Sequence, residues 1–379
     1  MTLRLFRYLA KEVLMSTAGV TFILLIVILS GQFVNYLSRT TDGKMTFKFL
    51  FIILGYHTPS FIQMILPLAF FLSLLLAFGR LYIENEMSVL FSCGISKLKL
   101  ASYTLGIALI VGLMSAALNF WIAPTSEYNS EKASQEQDQL SAFDFLQPGR
   151  FQGSGQRTTY IDSITKKEGW MNQIFLSSLT RKNNLNIPTV LMADYAEEIK
   201  MKSNKGLDYL VFKNGTRYEG IPGTANYRVT KFDTYAMRLK QNAPRPITDP
   251  ETRSTLYLLK SSIPTDVAEL QWRISLVIMI PILAIIGLSL SQVNPRQGRF
   301  FKMMPAILLM IFYIALLIWG RTALKKGSIP IEYGLWWIHG IFILIAAGLF
   351  LQYNQVFFRR KARLPKSNQS NSGTNEPTS

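Results

Sequence analysis

Six charge-free apolar stretches set the terms for this 379-residue chain: Val13–Ser38, Phe49–Gly79, Leu100–Ser126, Ile274–Pro295, Met303–Gly320 and Tyr333–Phe358. A bilayer core takes about 20 apolar helical residues, because each unsatisfied backbone group in hydrocarbon costs several kcal/mol. Each stretch therefore predicts a membrane-spanning helix. The second is overlong and holds Pro59 and Pro67, which predicts one tilted or kinked span rather than two. The first follows Arg4, Arg7 and Lys11, is much longer than a signal-peptide core and is not cleanly followed by a small-residue cleavage site, so it reads as a retained span.

The formal net charge of +17 is distributed in a way that argues against nucleic-acid binding. Residues 125–271 hold 19 Lys/Arg against 17 Asp/Glu, whereas the rest of the chain holds 21 against 6, beside the apolar stretches. Basic residues in short loops are retained on the cytoplasmic side. One face collects Arg4, Arg7, Lys11, Arg80, Lys97, Lys99, Arg296, Arg299, Lys302 and five basic residues of the tail, against Arg39, Lys44, Lys48, Arg321, Lys325 and Lys326 on the other. Both termini are thus expected in the cytoplasm and the central segment outside it. The expected domains are an N-terminal membrane half (1–126), an extracytoplasmic domain (127–270), a C-terminal membrane half (271–358) and a basic, disordered tail (359–379).

The central segment alternates apolar and polar residues in short runs, as strands do. Tyr235 and Met237 alternate with Ala236 and Arg238, and the run ending at Phe212 leads into Asn214-Gly215, a preferred tight-turn pair. About eight strands after a polar helical lead-in from Thr125 predict an all-β sandwich or open jelly roll. The single cysteine, Cys93, excludes an intrachain disulfide and reads as a small packing residue.

Between the second and third stretches, Arg80–Gly94 reads as a short amphipathic helix. Glu84 and Glu86 offer a partner a charge anchor, and Met87, Leu90 and Phe91 an apolar knob. The loop Val293–Arg299 is tight and basic. Arg39 and Arg321, at the outer boundary, are candidates for lipid phosphates, and Pro305 predicts a bend in the fifth span. Tyr209, Val211, Tyr235 and Met237 are candidates for an apolar groove outside the membrane. His57 and His339 have no second ligand at helical spacing, so a metal site is not expected. No phosphate-cradling Gly-x-x-x-x-Gly-Lys-Ser/Thr loop, Gly-x-Ser-x-Gly elbow or His-Glu-x-x-His helix occurs. The chain is expected to bind no cofactor and to be no enzyme, with any ATP used by a partner.

Several motifs carry a resemblance: Leu81-Tyr82-x-Glu84-x-Glu86 followed by Cys93-Gly94, Gly149-Arg150-Phe151-Gln152, Gly215 to Gly220, and Trp272-Arg273-Ile274 leading to Asn294 through Arg299. In these, and in its order of three spans, β domain and three spans, the chain resembles the lipopolysaccharide export permeases of the LptF/LptG family, the LptF branch fitting better. Relatives carry basic residues in the outer part of the first span, where Gln32, Phe33, Asn35 and Tyr36 stand here. The resemblance implies a Gram-negative inner-membrane exporter of the ABC type. In it an LptF and an LptG subunit pair, an LptB dimer hydrolyses ATP and the single-span LptC regulates the entrance. Spans one and five form lateral gates, and lipopolysaccharide passes into a β-jelly-roll bridge continued by LptA. The rival readings are an LptG-type paralogue, a membrane-anchored assembly factor without transport activity and, less favoured, a membrane-embedded lipid enzyme.

Overall fold

The computed structural model describes residues 2–41, 45, 47–139, 148–154, 157–165, 170–182, 185–200, 208–221, 227–238, 246–292 and 303–361. The helices are α1 (Thr2–Thr41), α2 (Phe47–Ile83), α3 (Glu86–Ser92), α4 (Lys97–Ala117), α5 (Ala123–Gln139), α6 (Thr255–Lys260), α7 (Pro264–Leu290), α8 (Met303–Lys325) and α9 (Trp336–Lys361). Five π-helical residues, Leu118–Ile122, join α4 to α5 without a break. Among the described residues six helices are long and apolar enough to cross a membrane, and α2 runs through both of its prolines as one. Pro305 lies in the first described turn of α8, and residues 293–302 just before it lie outside the described ones. The proline inside a helix of this half is Pro281 of α7.

The chain forms two compact units. One comprises residues 1–23, 63–119 and 259–379. Its hub is α7, which contributes Ile280, Ala284 and Leu288 to one apolar cluster with α1, α2 and α4, and Met279, Leu283 and Ile286 to another with α8 and α9. Of the apolar stretch of α7, 67% is buried within the protein, against 11% for α1. The apolar flank of α1 is the least covered by the chain itself and is left for lipid or a partner chain.

Ahead of α9 the chain turns through Gly334, whose φ of +43° lies in the left-handed region. Its missing Cβ leaves room for the Gln271 side chain, whose amide accepts from Leu335 N at 2.9 Å and donates to Ile331 O at 3.3 Å. Gly334→Ala is expected to lower the melting temperature of the purified protein. Left-handed strain of about 1 kcal/mol adds to displacement of the Gln271 amide, and about 1–3 kcal/mol more is lost if its partners go unsatisfied. In Gln271→Ala the same glycine substitution should cost less, because the clash is gone. Equal costs in both backgrounds would show that Gln271 is not what the glycine accommodates.

The other unit comprises residues 24–62 and 120–258. It contains one antiparallel sheet whose strands follow chain order: β1 (Gln152–Ser154), β2 (Arg157–Thr165), β3 (Trp170–Lys182), β4 (Leu185–Lys200), β5 (Asp208–Gly220) and β6 (Tyr227–Arg238). There are six strands among the described residues rather than eight, because β3, β4 and β5 run 13 to 16 residues each. The sheet is open, with β1 and β6 at its edges.

Asn214-Gly215 is not a turn but lies within β5. Asn214 (φ 51°), like Gln173 of β3 (φ 47°), adopts the left-handed conformation in mid-strand. The two fall on one line across the sheet, and the buried rows on either side of it are three residues apart instead of two. Ile161, Ile174 and Ala193 form one row with Phe232; Ile164, Met171, Ala196 and Phe212 form the next with Tyr235. A strand's side chains alternate with period two. The left-handed residues reset that alternation and keep both rows on the same apolar face. Gly215 is required by close approach, since a Cβ there would meet the Phe232 ring and lie 2.5 Å from Met192 O.

Candidate functional site

The corner between α2 and α3 gathers the charges that the sequence singled out. Asn85, at φ 62°, turns the chain between the two helices, leaving Glu84 exposed and Glu86 in the first turn of α3. Here α1 contributes two residues one turn apart: Tyr8 Oη donates to Glu86 Oε2 at 2.7 Å, and Glu12 pairs with Arg80 at 2.7 Å. Arg80 also lies 3.8 Å from Glu84. Met87 is fully buried in the chain's own core, with Leu90 and Phe91 partly buried against it. Met87 therefore fixes α3 to the bundle, while Glu84 and the open sides of Leu90 and Phe91 face outward. Cys93 corrects the packing expectation: it stands at the C-cap of α3 and is exposed. Sequence reasoning missed Tyr8 and Glu12, although their i, i+4 spacing places them on one helical face.

A second cluster joins α7 to α8. Glu269 and Arg273, one turn apart, pair at 2.9 Å with side chains 4% and 1% exposed. Arg321 of α8 also pairs with Glu269, its guanidinium 5.0 Å from the Trp272 ring centre and its side chain 19% exposed. One turn earlier, buried Asp266 accepts from Ser261 Oγ at 2.6 Å. Ionised groups among apolar helices cost several kcal/mol each unless paired. Two arginines on one carboxylate meet that condition and hold α8 against α7. Arg321 is thus held by an internal acid, with one edge exposed. Arg39, in the other compact unit, is exposed and stacks over Tyr36 at 5.7 Å.

On the sheet, the four groove candidates divide between faces. Register pairs Leu210 with Met237 and Phe212 with Tyr235, and opposed residues of an antiparallel pair share a face. Tyr235 and Met237 therefore join the apolar cluster of Ile174, Leu176, Leu191, Leu210 and Phe212, whereas Tyr209 and Val211 occupy the opposite face beside Arg238 and Ala236. The alternation within each strand was legible, but the register between strands was not.

Both histidines are hydrogen bonded. His57 of α2 lies 3.2 Å from Glu127 and 3.1 Å from Ser130 of α5. That order resembles a hydrolase triad, but Ser130 is 3% exposed and sits in mid-helix, so the group staples two helices. His339 of α9 bridges Tyr313 of α8 at 2.7 Å and Ser275 of α7 at 2.9 Å. Among the described residues no three His, Cys, Asp or Glu side chains gather as metal ligands. The basic loop Val293–Arg299 lies outside the described residues, as does the tail beyond Lys361.

The sequence model of the lipopolysaccharide export system permease LptF/LptG matches residues 7–352. The lipopolysaccharide export system permease protein LptF of Escherichia coli strain K12 is 30% identical over 352 residues, covering 91% of this chain and 94% of that protein. The protein of the same name from Shigella flexneri matches to the same extent. With a match along nearly its whole length and six spans accompanying one antiparallel sheet, the chain belongs to the LptF/LptG family of lipopolysaccharide export permeases.

Proposed function

We propose that this chain is the LptF-type permease subunit of an ABC-type exporter that takes lipopolysaccharide from the inner membrane and passes it to a β-jelly-roll bridge towards the outer membrane. The observation that carries the reading is the presence, in one chain of this family, of six spans and a sheet with a continuous apolar face. A ligand with several acyl chains needs apolar walls in the bilayer and an apolar surface beyond it. The bent sheet is proposed as this chain's share of a jelly-roll groove. Its working face carries Tyr235 and Met237, with Tyr209 and Val211 behind it. The distribution of basic residues supports cytoplasmic termini and a periplasmic sheet.

ATP is hydrolysed by an LptB-type dimer docked on α3, where Glu84 and Glu86 meet basic residues and Leu90 and Phe91 supply apolar contact. This chain binds no cofactor. An LptG-type subunit pairs with it, LptC regulates it and LptA continues the bridge. Displacement of the α2–α3 corner is transmitted to α1 through Tyr8–Glu86 and Glu12–Arg80, so the nucleotide-driven step reaches span one, a lateral gate helix, directly. Span five, the other gate helix, is tied to α7 through Glu269 and serves as the fixed side. Arg39 and the exposed edge of Arg321 attract headgroup phosphates, each contributing about 1 kcal/mol.

Photocrosslinking tests the transport reading. A crosslinking residue at Met237 or Phe232 is expected to trap lipopolysaccharide when ATP is supplied to the assembled complex, and one at Tyr209 is not. Trapping only protein partners at every position of the apolar face would favour an assembly factor instead.

A further inference from the structure

A cavity of about 620 Å³ opens where the π-helical turn between α4 and α5 meets the segment returning from the sheet, residues 246–258. A π turn inserts an extra residue into the helix and re-aims the side chains around it. Here Trp121 stands out, 73% exposed, and Phe120 O accepts from Thr255 Oγ1 at 2.8 Å. That bond ties the returning segment to the helix and makes the second wall. Trp121, Tyr128, Leu256 and Tyr257 give the cavity an amphipathic aromatic rim, the composition that settles at a membrane–water boundary. Arg253 supplies a cation to the lining, its guanidinium 5.2 Å from the Tyr257 ring centre, with Ser254 and Thr252 hydroxyls beside it. The remaining described lining is aliphatic, aromatic or hydroxyl-bearing.

We infer that this cavity is a binding site for a glycerophospholipid of the surrounding bilayer with an anionic headgroup, the phosphate at Arg253 and an acyl chain along Trp121 and Leu256. Charge selects the headgroup, and volume selects against the exported cargo. A cavity of this size holds a headgroup phosphate and one acyl chain while the second chain of a glycerophospholipid stays in the bilayer, whereas a ligand with several acyl chains on a sugar core leaves most of itself outside. The site does not depend on the transport reading, since it is formed within one compact unit by groups that the coupling corner and the apolar sheet face do not use.

The test uses the full-length protein in phosphatidylcholine nanodiscs containing a trace of photoreactive phosphatidylglycerol, with adducts mapped by peptide mass spectrometry. Adducts are expected to concentrate on Trp121 and residues 256–257. They should fall by more than about fivefold in Arg253→Glu, since losing one interfacial cation contact alone accounts for about fivefold and the new negative charge adds repulsion, and be retained in Arg253→Lys. Leu256→Gln alters a side chain that is 74% exposed and should reduce the adduct without lowering the melting temperature. Unlabelled phosphatidylglycerol should compete; inorganic phosphate and purified lipopolysaccharide should not. Adducts spread evenly around the spans, or a yield indifferent to both Arg253→Glu and Leu256→Gln, would overturn the site. Competition by phosphate would make it a free-anion site, and competition by lipopolysaccharide would make it part of the cargo's path; either result also overturns it.

Discussion

Glu86→Lys is expected to abolish both copurification of the ATPase and ATP-dependent export, with membrane insertion retained. Two effects add. The reversed charge faces the basic surface proposed on the ATPase, and removing one partner of a close interfacial charge pair costs about 2–5 kcal/mol. The same change removes the acceptor for Tyr8 Oη and so breaks the hydrogen bond between α1 and α3. Tyr8→Phe separates the contributions, because it breaks the internal bond and leaves the carboxylate. A neutral hydrogen bond contributes about 0.5–1.5 kcal/mol, rising to about 1.5–3 kcal/mol when one partner is charged. Tyr8→Phe should therefore slow export several-fold while the ATPase still copurifies. Loss of copurification in Tyr8→Phe as complete as in Glu86→Lys would place the main role of Glu86 inside this chain. Normal growth and full ATPase recovery with Glu86→Lys would remove the docking role altogether.

The next largest effect is expected at Glu269. In Glu269→Gln, two arginines of the α7–α8 contact lose their shared carboxylate, and Arg273, 1% exposed, keeps its charge in a buried setting. Breaking a buried ion pair from one side costs about 3–5 kcal/mol, enough to deplete folded protein whose total stability is only about 5–15 kcal/mol. The expected readout is a much reduced monodisperse fraction after detergent extraction and a lower melting temperature. Replacing all three ionised side chains with apolar residues of similar volume should recover much of the loss, since the desolvation cost then disappears as well. Such a triple variant, stable yet inactive, would assign the cluster to lipid phosphate rather than to the fold. A melting temperature unchanged in Glu269→Gln would show that the arginines are satisfied elsewhere.

The spans were legible because a charge-free stretch in a chain of this kind has few alternatives to a membrane helix. The sheet was legible as β structure and misread in detail. Asn214-Gly215 carries the composition of a hairpin turn, but its left-handed residue serves to bend β5 and reset its alternation. Local composition does not separate those uses. Division of the groove candidates between faces followed from the same limit, since Tyr209 and Met237 each alternate correctly within their own strands. Arg321 was read as a boundary charge because its partner Glu269 is 52 residues away in the chain, and only the packing of α8 on α7 joins them. A local signal was nevertheless present: Glu269 and Arg273 stand at i, i+4 spacing beside a charge-free stretch, an arrangement that apolar surroundings retain only when it is paired.

Reconstituted release decides whether this chain moves lipopolysaccharide with energy from a partner's ATP. The chain is placed in proteoliposomes with an LptG-type subunit, the ATPase and LptC, and transfer of lipopolysaccharide to soluble LptA is followed over time. Release should require ATP and disappear with Glu86→Lys; ATP hydrolysis by the assembled complex with no release above the nucleotide-free control would contradict it.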